Sequence, residues 1–273
     1  MRKIELGLKA SLNKELENEL EKVNNLGFNN CQLECWSEEL FNDENAEKIK
    51  NISGKYKVNI SALWSGWPGP ASWNFYEGPL TLGLVPEVYQ FRRMQTLKNA
   101  SDFAQKIEVD KIVTHAGFIP ENPNNPRFKQ VIEAIKDVAQ HCKNNNQHFL
   151  FETGQETPVT LLRVIEDVGL DNLGINLDPA NLLMYGKANP VDSLDVFGTY
   201  VKGVHAKDGD YPLSGDKLGP EKPIGKGRVE FPVLISKLQE LDYEGTLTIE
   251  REISGKKQIE DIKAGKKYLE KLL

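Results

Sequence analysis

Eight short apolar runs with the character of β-strands recur along the chain, and each is followed by a stretch with helical spacing. The runs are IELGLKA (4–10), CQLECW (31–36), NISALW (59–64), KIVTHAG (111–117), HFLFETG (148–154), LGINLDP (173–179), VKGVHAK (201–207) and GTLTIERE (245–252). Leu16, Leu20, Val23 and Leu26 form an apolar stripe after the first run, and Val131, Ile135, Val138 and His141 form another after the fourth. Pro158, Pro190 and Pro232 stand near the starts of helical stretches, where a missing backbone N–H costs little. Such alternation restricts the chain to an α/β architecture with a parallel sheet. A doubly wound open sheet also alternates. Eight units that end on a helix without a break predict closure into a single (β/α)8 TIM barrel domain over residues 1–273.

Composition agrees with this and removes other classes. The 273 residues are 39% hydrophobic and 27% charged, and no Ser/Gly linker or low-complexity segment divides them. The net charge of −6 is dispersed, so the basic footprint of a nucleic-acid binder is missing. No apolar run approaches the roughly 18 residues of a membrane span. The start, MRKIELGLKA, has no long apolar segment of the secretory kind. Cys31, Cys35 and Cys142 cannot all pair and show no C-x-x-C spacing, which predicts reduced thiols in a cytoplasmic protein. The longest irregular stretch, residues 65–86, follows the third strand, and loops of that length often serve as lids.

The last four strands end in chemistry. Glu152 closes the fifth, Asp178 the sixth, His205 the seventh and Glu250 the eighth. In a barrel these ends open on one face, where active sites sit. One polar residue after a strand is ordinary loop, but four in succession imply a shared pocket. Three crowded carboxylates would raise one another's pKa, and a divalent cation removes that conflict. Three oxygen donors with one imidazole suit Mn²⁺ best, with Mg²⁺, Co²⁺ or Zn²⁺ as alternatives.

These residues, with LDPANL around Asp178, VHAKDG around His205, GKGRVEF (225–231) and TIERE around Glu250, resemble the xylose isomerase-like barrel superfamily. Within it the chain is similar to the sugar phosphate isomerase/epimerase branch that includes tagatose and psicose 3-epimerases. The resemblance implies one metal held by Glu152, Asp178, His205 and Glu250, with Glu152 and Glu250 also moving the proton. It implies a small-molecule sugar substrate and leaves self-association open. Many relatives carry a His where this chain has Asn181, so the substrate here is positioned differently or is a different compound.

The chemistry follows independently. Epimerising or isomerising a ketose begins with loss of a proton beside a carbonyl, which a metal assists as a Lewis acid. A carboxylate within reach serves as base. A dehydratase or lyase acting on a keto-sugar or keto-inositol would use the same site. A phosphoesterase of the endonuclease IV kind needs more histidines than the four present, and a silent sugar-binding barrel would not need paired bases.

Further candidates for substrate contact are Trp64, Trp67, His115, Glu156, Asn181, Lys207 and Arg228. Each has a plainer alternative. The tryptophans would equally pack the long loop onto the barrel. His115 is as readily a satisfied structural residue, and Glu156 a helix cap. Asp208 is expected either to bond the second nitrogen of His205 or to cap a loop. Lys226 and Arg228 would meet a phosphate, although Gly-x-Gly turns are common without anions. Glu34 and Trp36 are weaker candidates for the pocket wall. The acidic stretch from Glu38 to Glu47 reads as a solvated helix face.

Overall fold

A computed structural model describes residues 4–273. Its eight barrel strands are β1 (Glu5–Ser11), β2 (Asn30–Cys35), β3 (Asn59–Ser65), β4 (Lys111–Thr114), β5 (His148–Glu152), β6 (Leu173–Leu177), β7 (Val201–Ala206) and β8 (Thr246–Ile249). All pair in parallel with their sequence neighbours, and β1 pairs with β8 to close a (β/α)8 barrel. The surrounding helices are α1 (Leu16–Asn25), α2 (Asp43–Tyr56), α3 (Glu87–Lys106), α4 (Pro126–Asn144), α5 (Pro158–Val168), α6 (Pro190–Phe197), α7 (Phe231–Glu240) and α8 (Lys256–Leu269). Among the described residues no helix is long and apolar enough to cross a membrane.

Alternation along each strand divides the molecule into two interiors. Outward residues such as Leu8, Leu33, Ile112, Phe149, Phe151, Ile175, Val204 and Ile249 merge with the buried helix stripes into one apolar cluster. Each buried Leu, Ile or Phe there contributes about 1.5–3 kcal/mol, so the layer between sheet and helices carries the stability. The apolar cluster inside the barrel is small, Ala62, Trp64, Val113 and Leu150, and it continues into Trp67 and Leu82 of the segment after β3. Buried polar residues such as Gln32, Glu152, Asn176, His205 and Thr248 occupy other inward positions.

Local chemistry sets the helix starts. Asn125, Thr157 and Asn189 cap α4, α5 and α6 by accepting first-turn backbone N–H groups, and each is followed by a proline at the first helical position. The stripe on α1 is buried through Leu16, Leu20 and Val23. On α4 the burial passes to Cys142, while His141 turns out to meet Asp102 at 2.7 Å. Glu38 departs from the solvated reading. It is half-buried in a short 3-10 turn, held by Thr96 at 2.8 Å and Asn99 at 2.6 Å.

Two additions crown the C-terminal mouth. Residues 65–86 form an irregular cover with one short helix, Gly78–Thr81. After β7, Asp208–Gly209 pairs with Glu221–Lys222 in an antiparallel ribbon.

Candidate active site

Glu152 ends β5, Asp178 lies one residue past β6, His205 sits in β7 and Glu250 lies one residue past β8. All four are buried, and each offers an atom within 4.8 Å of the others. His205 Nδ1 is 3.1 Å from Glu152 Oε1, 3.0 Å from Glu250 Oε2 and 3.8 Å from Asp178 Oδ2. Asp178 is also the N-cap of a short helix, Pro179–Met184, and its Oδ1 accepts from Asn181 N at 2.8 Å. One oxygen therefore builds the helix, and Oδ2 remains for the cluster. The two glutamates divide their oxygens similarly. Glu152 turns Oε1 to His205 while Oε2 accepts from Trp64 Nε1 and lies 3.4 Å from His115 Nε2. Glu250 turns Oε2 to His205 while Oε1 accepts from the Lys9 ammonium.

Above this cluster is a cavity of about 310 Å³, lined in part by Lys9, Glu34, Trp36, Trp64, Trp73, His115, Asn181, Tyr185, Lys207 and Glu252. The chain's four tryptophans gather on one side of it, with Trp36 5.0 Å from Trp64 and 6.4 Å from Trp73, and Trp67 6.2 Å from Trp64. Lys207 Nζ lies 2.9 Å from Glu252 Oε1 and 3.7 Å from Asp178 Oδ2.

Burial would push the Glu152 carboxyl up, but His115 and His205 outweigh it and hold it at about 2. Glu250 is likewise lifted by burial and brought well below the carboxylate range by Lys207, Lys9 and His205. Burial would lower His205, and Glu152 and Glu250 reverse this and raise it well above an ordinary imidazole. His115 is lowered, chiefly by burial. Asp178 is raised by burial, which Lys207 offsets only in part.

The donor set fits a divalent cation. Asp178 Oδ2 and Glu250 Oε2 are buried, and neither accepts a well-directed hydrogen bond from the protein. Buried carboxylate oxygens without donors are costly, and a cation bound by them removes the penalty.

The sequence from residue 20 to residue 272 matches the family model of the xylose isomerase-like TIM barrel. The chain belongs to that family. A crystal structure of a xylose isomerase domain protein from Planctomyces limnophilus is 31% identical, with a TM-score of 0.93 over 98% of this chain and 97% of the other. An uncharacterized protein of Methanocaldococcus jannaschii is 24% identical over 96% of this chain and 86% of its own length. A D-tagatose 3-epimerase-like protein shares the fold at 20% identity, with a TM-score of 0.75 over 98% and 97% of the two chains. An L-ribulose 3-epimerase and a probable 3-DHS dehydratase from Bacillus anthracis have the same barrel, at 15% and 18% identity.

Within this xylose isomerase-like barrel, Trp64, His115, Asn181 and Lys207 reach the cavity beside the four clustered residues. Asn181 Nδ2 is 3.4 Å from Glu152 Oε1. Three candidates lie elsewhere. Trp67 is buried behind Trp64, and Glu156 is fully buried with neither carboxyl oxygen hydrogen-bonded. Arg228 is largely exposed and faces Asp210 at 3.9 Å. Asp208 does not reach His205. Its carboxylate accepts from the backbone N–H groups of Gly209, Gly225, Gly227 and Val229 at 2.8–3.0 Å, filling the nest of the Gly-x-Gly turn.

Lys9 and Gln32 were invisible to a reading of strand ends. Their signal is the period of two: Lys9 precedes Ser11 on β1, and Gln32 precedes Glu34 on β2, placing polar groups at inward positions of apolar strands.

Proposed function

We propose that the chain is a divalent-metal-dependent isomerase or epimerase of small, unphosphorylated ketoses. One observation carries this reading: two buried glutamates each give one oxygen to the His205 cluster and keep the other on a donor at the cavity wall. Glu152, Asp178, His205 and Glu250 would hold the ion, with Mn²⁺ the first choice by donor type. When bound, the ion would polarise the substrate carbonyl as a Lewis acid. One of Glu152 and Glu250 would remove the proton beside that carbonyl from one face and the other return one from the opposite face, the two exchanging roles with the direction of the reaction. Trp64 and His115 hold the proton-accepting oxygen of Glu152 in place, as Lys9 does for Glu250. The tryptophan wall covers the C–H face of a sugar and excludes water.

Charge supports an uncharged substrate. The lining carries Lys9 and Lys207 against Glu34, Glu152, Glu250 and Glu252, and both lysines are already paired with carboxylates. Among the described lining residues neither lysine is spare for a phosphate, and Asp208 already fills the nearby nest of backbone N–H groups. A volume of about 310 Å³ is at the small end for ligand pockets and suits a monosaccharide. Lys207 favours a second reading, dehydration of a keto-sugar or keto-inositol, because its buried ammonium could protonate a departing hydroxyl. The test is a panel of free ketoses, their phosphates and keto-inositols, incubated with Mn²⁺ in deuterated water and followed by NMR. Deuterium at an epimerised or isomerised position of a free ketose is expected. Loss of water from the product would move the assignment to the dehydratase, and turnover confined to phosphates would reject the substrate class.

A further inference from the structure

We propose that Gln32 is a positioning residue that fixes a hydrogen on Nε2 of His205 and so turns Nδ1 toward the three carboxylates. The inference rests on the metal role proposed above. His205 has two faces in this barrel. Its Nδ1 points into the carboxylate cluster, and its Nε2 lies 2.6 Å from Gln32 Oε1. An amide oxygen only accepts, so Nε2 must carry the hydrogen. A neutral imidazole with its hydrogen on Nε2 has its lone pair on Nδ1, the atom a cation among these carboxylates would need.

The amide of Gln32 is itself oriented. Its Nε2 donates to Asn176 Oδ1 at 3.3 Å, which turns Oε1 toward His205. Gln32 is 2% exposed, Asn176 1% and His205 0%, so little solvent can replace either bond. Asp208, for which this role and a loop cap were both expected, is consumed by the backbone nest. The substitution of an amide for a carboxylate has a consequence. It fixes the ring without adding a fourth negative charge behind three. Gln32 comes from β2, in the half of the barrel that does not bear the cluster, and its amide reaches across the axis to His205 and Asn176.

The test uses full-length protein labelled with ¹⁵N-histidine and loaded with Zn²⁺, a diamagnetic probe, in long-range ¹H–¹⁵N spectra. Only four histidines need assignment. In the wild type the expected result is a metal-bound Nδ1 and a protonated Nε2 at His205. Gln32→Met removes the acceptor at nearly constant volume, and affinity for Zn²⁺ and Mn²⁺ should fall about 10–100-fold. Gln32→Glu keeps the acceptor and should restore wild-type affinity or better, which a merely space-filling role would not produce. Zinc bound through Nε2, or undiminished affinity in Gln32→Met, would overturn the assignment while leaving the metal reading intact. Absence of Zn²⁺ and Mn²⁺ uptake by the wild type would overturn the metal reading and this assignment with it.

Discussion

Lys9, largely buried, and Glu156, fully buried, are ionisable groups with opposite solutions. Lys9 answers its burial with Glu250 and Glu34, and these hold its ammonium charged. If Glu250 is a base, its cation neighbour matters to the pH range of activity. Lys9→Met should raise the Glu250 carboxyl, because a stabilising charge is lost. The acid limb of kcat/KM should then move to higher pH, measured with saturating Mn²⁺. An unmoved limb would separate Lys9 from Glu250 function. Glu156 answers burial by staying protonated: burial pushes it up to about 8, with Lys187 and nearby backbone amides too weak to offset this. The sign is plain. Between an ordinary carboxyl value near 4.5 and about 8 the unfolded chain ionises and the folded chain does not, so Glu156 erodes stability as pH rises. Glu156→Gln should therefore gain stability over wild type between pH 5 and pH 8, as read from Tm at each pH. A constant Tm difference across that range would show that Glu156 is already ionised. Neither residue's state was legible in the sequence. A lysine in an apolar run and a glutamate after a strand look like ordinary surface groups until the barrel brings Glu250 to one and buries the other without a well-directed hydrogen bond.

The elements were read more easily than their connections. All eight strands were legible because each is an apolar run with a helical period after it, whereas the capping role of Asp178 before Pro179 came only with the structure. The cover formed by residues 65–86 was legible only as a long loop. What shapes it lies on α3, where Arg93 is fully buried with no acidic partner among the described residues. Its guanidinium donates to the carbonyls of Pro68, Pro70, Thr81 and Gly83 at 2.7–3.2 Å and lies over the Trp67 and Tyr89 rings. A single arginine thus substitutes for the secondary structure the loop lacks, at a separation no local pattern reports. Arg93→Met should leave several buried carbonyls unpaired and cost at least about 1–3 kcal/mol. Proteolysis should then begin within 68–83, and KM should rise several-fold with metal affinity unchanged. Resistance of that segment to protease in the variant would remove Arg93 from this role.

Across the whole molecule the barrel is divided into unlike halves. Strands β5 to β8 deliver Glu152, Asp178, His205 and Glu250, while β1 to β4 deliver Lys9, Gln32, Trp64 and, just past β4, His115. The first set was legible because each of its members stands at a strand end. The second was legible only in part, since Lys9 and Gln32 lie within strands and acquire meaning from what faces them across the axis. The division predicts how protons and metal compete. Without metal, His205 sits between Glu152 and Glu250, which raise its imidazole well above 6.5, so at neutral pH it carries a proton. This stabilises the metal-free fold below the ordinary imidazole range, and the benefit is lost as pH climbs through the raised value. A cation needs Nδ1 bare, so uptake must expel that proton. Calorimetric titration with Mn²⁺ in two buffers of different ionisation enthalpy should report release of about one proton near pH 7. Over the same range the dissociation constant should fall about tenfold per pH unit, flattening only above the raised His205 value. Asp178→Asn should weaken the binding itself, because it removes a charged donor whose Oδ2 has no protein partner. Tight Mn²⁺ binding with no proton released would mean that the ion does not meet His205, and the proposed ligand set would have to be abandoned.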